Sequence, residues 1–121
     1  MENVSDVIKL ESIKAIQSAI RKSEKALAQM TQKGSNTALL NKRLKALKIG
    51  LAMLENLWNQ IPHHYTQEDL ADARNVLTGL LPSIESIYAK SKEGSPQRTL
   101  LERRAKALEL AVQAIEGLNN E

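Results

Sequence analysis

His63 and His64 stand side by side in a Pro-His-His-Tyr segment and are the only imidazoles in the chain. Imidazole binds metals and carries protons, but ligands on a helix need a spacing of three or four residues. No Glu-x-x-His or His-x-x-x-His occurs, so the adjacent pair reads as linker. Cysteine is absent, which removes disulfides, thiolate metal sites and cysteine nucleophiles. A Ser or Thr nucleophile would need a histidine beside it and an acid to orient that histidine. The serines instead fall at turns and on polar helix faces. Lys33-Gly34-Ser35 and Glu93-Gly94-Ser95 are turn punctuation, not a Gly-rich loop that cradles phosphate. Glu68-Asp69 follows Thr66 at the spacing of a capping box, which already employs those carboxylates. The expectation is no catalytic residue, no metal and no cofactor.

Cations are the side chains that stand out. Lys42, Arg43 and Lys45, and again Arg98, Arg103, Arg104 and Lys106, occupy the N-terminal halves of two helical segments. The helix dipole does not favour positive charge there. Residues 21–45 and 84–106 carry thirteen Lys and Arg against four Glu, whereas the rest of the chain holds four basic and ten acidic residues. If both segments meet at one end, that end is a docking pole for an anionic partner: nucleic-acid backbone, acidic protein or anionic lipid. Against nucleic acid stands the lack of any aromatic residue interleaved with the cations of 42–45 or 98–106, and of any known recognition signature.

The elements that would carry them are helices. The 121 residues hold 42% hydrophobic residues, nearly all aliphatic, with five Gly and three Pro. Apolar residues recur at three, four or seven, and nothing alternates as a strand would. A first helix runs from about residue 4 to Gln32 on a stripe of Leu10, Ile13, Ile16, Ile20, Leu27 and Met30. Gly34 ends it and Ser35 is the expected cap of a second, which reaches about Gln60. Thr66 opens a third, and Ser95-Pro96 starts a fourth. The reading is all-α: an antiparallel up-down-up-down four-helix bundle in one domain. Hairpin one covers 4–60, a linker 61–65 and hairpin two 66–118. No apolar run is long enough to span a bilayer and the start lacks a secretory pattern, so a cytoplasmic protein is expected.

The halves resemble each other. Leu39-Leu40-Asn41-Lys42-Arg43-Leu44-Lys45-Ala46-Leu47 aligns with Leu100-Leu101-Glu102-Arg103-Arg104-Ala105-Lys106-Ala107-Leu108 at an offset of 61. In each half a Glu and an Arg sit nearly equidistant from the Gly-Ser turn, so Glu24 with Arg43 and Glu85 with Arg104 are expected as structural ion pairs. Ile49 and Leu110, equivalent in the repeat, stand on what reads as the polar side and suggest a homodimer seam or partner contact. The function expected is a protein–protein interaction or regulatory module without catalytic activity. The alternatives are a phosphate-backbone binder acting through the hairpin tips and an immunity-type or membrane-surface protein. The partner is a protein or a second copy.

Overall fold

The Ser5 hydroxyl accepts a hydrogen bond from the Ile8 amide and opens α1 (Asp6–Gln32). Then follow α2 (Ala38–Asn59), α3 (Gln67–Lys90) and α4 (Pro96–Asn119). The computed structural model describes residues 4–119, and no strand occurs among them. Gly34 and Gly94 take positive φ, 72° and 79°, at the two hairpin turns, where an L side chain would be strained. The capping box at α3 is complete: the Thr66 hydroxyl accepts from the Asp69 amide, and the Asp69 carboxylate accepts from the Thr66 amide. At α4 the Ser95 hydroxyl accepts from the Arg98 amide and Pro96 takes the first helical position.

One cap lies elsewhere than expected. Thr37, not Ser35, precedes α2, and the Asn36 side chain accepts from the Ala38 amide at 3.0 Å. α2 therefore begins two residues later than a Ser35 cap would start it.

The four helices form a bundle of two antiparallel hairpins. Within the first, Glu24 reaches Lys48 at 3.7 Å and Lys9 lies 6.0 Å from the ring centre of Trp58. Within the second, Arg98 stacks on Tyr88 at 4.3 Å and Arg74 pairs with Glu116 at 2.8 Å. In both hairpins a step forward on one helix is a step back on the other.

Between the hairpins the sense is different. Asp69, near the start of α3, meets Lys45 in the first half of α2 at 3.4 Å. Farther along both helices, the Leu77 Cδ1 stands 3.1 Å from where a Cβ on Gly50 would be. So α2 and α3 run the same way. Likewise Glu11, early in α1, bridges to Arg103, early in α4, at 3.5 Å. The order is up-down-down-up, and the two turns lie at opposite ends. The linker explains why. Gln60–Thr66 is a strap without regular structure, not a tight turn. Seven extended residues reach about 23 Å at roughly 3.3 Å each. That matches the roughly 21 Å of helix from Asn59 back to Lys45 at about 1.5 Å per residue. Gln60 begins the reversal in the left-handed conformation, φ 55°, and the Asn56 side-chain amide donates to the Ile61 carbonyl.

Across the centre α2 touches α4, while α1 and α3 do not meet. Small residues permit the approach. A Cβ on Gly50 would lie 3.3 Å from the Ala111 Cβ, and Ala46, Ala107 and Ala114 are buried beside it. Two helices that face both a hairpin partner and each other bury a wider arc than the outer pair. That overturns the surface reading of Ile49 and Leu110. They are 1% and 0% exposed, in the core with Leu47, Met53, Leu54, Leu77, Leu108 and Ile115.

Candidate functional site

The cations do not gather at one pole. Residues 21–45 and 84–106 flank opposite turns, so the docking pole expected from their sum does not exist. Each basic end instead abuts the acidic open end of the other hairpin. Lys45 pairs with Asp69 in the acidic first turn of α3, and Arg103 pairs with Glu11 near the start of α1. For Lys45 and Arg103 this accounts for positive charge where the helix dipole does not want it: each faces a carboxylate on the neighbouring hairpin. Such half-exposed bridges favour one orientation of the hairpins over the other more than they add stability.

Asp69 sits in a perturbed environment. The hydrogen bond from the Thr66 amide, and behind it Lys45, hold its carboxyl below the usual carboxylate range.

The expected structural ion pairs are not formed. Glu24 reaches Lys48, five residues beyond Arg43, instead of Arg43. Arg43 and Lys42 are exposed on α2. Arg104 turns from Glu85 towards α1, where it lines a groove between α1 and α4 with its Nε buried and no acceptor near it. Glu85 and Lys106 line a second groove on the other side of α4. Arg98 is half-buried over Tyr88.

The histidines of the strap differ from each other. His63 is half-buried, stacks on the Tyr65 ring at 6.1 Å, and its Nδ1 accepts from the Tyr65 amide at 3.2 Å. His64 is exposed. Tyr65 in turn packs on the core, so this part of the strap is tied down.

The concave surface lies around the first half of α4. The groove towards α1 has a volume of about 410 Å³ and carries Val7, Leu10 and Leu100, which are 65%, 56% and 57% exposed. Lys14, Lys22 and Arg104 edge it. The groove towards α3 has a volume of about 560 Å³, with Ile8, Ile84 and Tyr88 among its apolar residues and Glu85, Glu102 and Glu109 at its edges. The Glu11–Arg103 bridge borders both.

Leu10 was expected in the core stripe, but α1 buries Ser12, Ile16 and Ala19. A signal was present in the sequence. Val7, Ile8, Leu10, Ile13, Ile16 and Ile20 spread over more of the helix than one buried face accepts. The exposed aliphatics that occupy equivalent positions in the two halves are Leu39 and Leu100, not Ile49 and Leu110.

Among the described residues no helix is long and apolar enough to cross a membrane. No family model, curated protein or solved structure matches the chain.

Proposed function

We propose that this chain is a small non-catalytic interaction module that holds a protein partner on the face between α1 and α4. The observation that carries this reading is the grouping of Val7, Leu10 and Leu100 in one groove, all more than half exposed. Single exposed aliphatics are ordinary, whereas three that share a concave surface leave apolar area for a partner to cover. The phosphate-backbone reading loses its main support, because its two cation sets sit at opposite ends and Lys45 and Arg103 are engaged with carboxylates.

Photo-crosslinking in the native host tests the proposal. A photoreactive side chain replaces Leu10 or Leu100 in turn, with Leu39 at the far end as the control position. The expected result is one discrete protein adduct, identified by mass spectrometry, from Leu10 and Leu100 but not from Leu39. Adducts to lipid or nucleic acid, or equal yield from all three positions, would overturn it.

A further inference from the structure

We infer that the α1–α4 groove receives an acidic amphipathic helix of the partner. Its apolar side rests on Val7, Leu10 and Leu100, and one of its carboxylates reaches Arg104. This rests on the protein-docking reading above and adds the chemistry of what docks.

Shape comes first. The α1 wall of the groove is built at helical steps from Val7 to Lys22. Fifteen residues at about 1.5 Å each give a trough of roughly 22 Å, the length of a helix of about four turns. An extended peptide would need an open sheet edge to bond its backbone, and no strand occurs among the described residues. A helix satisfies its own backbone and offers one apolar stripe.

Charge then selects among helices. Lys14, Lys22 and Arg104 edge the trough, and its one carboxylate, Glu11, already faces Arg103. The buried Nε of Arg104 lacks an acceptor, and a guanidinium cannot shed its proton to escape that cost. Arg104 as a whole is half-buried and lines the trough, so a partner carboxylate meets the rest of its guanidinium from the groove side. A second copy of this face would set the same cations against themselves, which disfavours self-docking through it. Nucleic acid would match the charge and leave the three aliphatic residues uncovered. An acidic amphipathic helix uses both features.

The test is fluorescence anisotropy with labelled synthetic helical peptides of about 16 residues, long enough for the trough. The first carries leucines along one face with glutamates beside them. The second has lysine for each glutamate, and the third has glutamine for each leucine. The expected result is that the first binds at least about tenfold more tightly than either control, with affinity falling as salt rises. Leu10→Ser combined with Leu100→Ser weakens it about tenfold, and Arg104→Gln about threefold, as loss of anchors at a groove centre does. Leu39→Ser leaves it unchanged, and circular dichroism verifies that each variant is folded.

Equal binding of the three peptides, no binding by any, or binding that survives the groove substitutions would overturn the inference. If the lysine peptide proves the tighter ligand of the same groove, the acidic helix is wrong and protein docking stands. If phosphatidylserine vesicles or a single-stranded oligonucleotide occupy the groove more tightly than the acidic peptide, both fall.

Discussion

The two seams between hairpins are built differently. On the α2–α3 side the strap Gln60–Thr66 joins the helices, its Tyr65 packs on the core, and a capping box and a Lys45–Asp69 bridge fix the start of α3. On the α1–α4 side no chain segment links the helices, and the seam is left as a groove with exposed aliphatic residues. The hairpins are alike in pattern, so covalent connection is what makes the seams unequal. A parallel pair of helices needs a crossover, and a crossover covers the side on which it runs. The other side stays open to a second molecule.

The largest effect that tests this comparison is a distance. The chain has no cysteine, so Lys33→Cys with Lys92→Cys gives two clean labelling sites, one at each turn. With the turns at opposite ends, pulsed electron paramagnetic resonance should give a separation beyond about 35 Å, the length of a 24-residue helix. A peak below about 20 Å, within the width of two helices at roughly 10–12 Å each, would restore the up-down-up-down order and undo the comparison.

Next comes packing. Leu77 is 0% exposed between α2 and α3, and Leu77→Ala should lower stability by about 3 kcal/mol in urea unfolding. Leu10→Ser and Leu100→Ser on the open side should each stay within about 0.5 kcal/mol. Equal losses on both sides would mean that the α1–α4 face is structural, not available.

Gly50→Val probes the centre on which both seams depend. Its Cβ would press on Leu77 at 3.1 Å and Ala111 at 3.3 Å, so overpacking should cost about 2 kcal/mol. An unchanged midpoint would show that α2 and α4 can separate without loss.

The smallest effects are electrostatic. Glu11→Gln should change stability by no more than about 0.5 kcal/mol, and less as salt is added, because the Arg103 bridge is half-exposed. Asp69 gives an acid signature. Its carboxyl is held below its ordinary value, so its contribution is complete above the unfolded-state value and is lost as pH falls through the folded one. Amide exchange at Thr66 and Asp69 should therefore rise, relative to the α4 start, only in the acid range. A rise already present at neutral pH would remove the capping role.

Local chemistry was legible in the sequence wherever a residue acts on its own neighbours. The Thr66–Asp69 box, the Ser95-Pro96 start and the left-handed glycines at 34 and 94 are all as their residues imply. Reasoning by level from the turns failed for Glu24 and Arg43. Glu24 finds Lys48, more than a helical turn past Arg43, and the capping preference of Ser35 could not outweigh the Thr37 start actually used. The groove was half legible: surplus aliphatic residues on α1 signalled a second apolar face, but not what it would adjoin.

Composition and periodicity by themselves determined four helices, most of their ends and their pairing into hairpins, because those properties arise from hydrogen bonds and side chains a few residues apart. Only the tertiary structure decided which way the second hairpin points. The choice rests on a seven-residue strap long enough to return along α2, and on basic turns set against acidic open ends. With that direction the anionic docking pole disappears, and the exposed trough beside α4 takes its place as the proposed site.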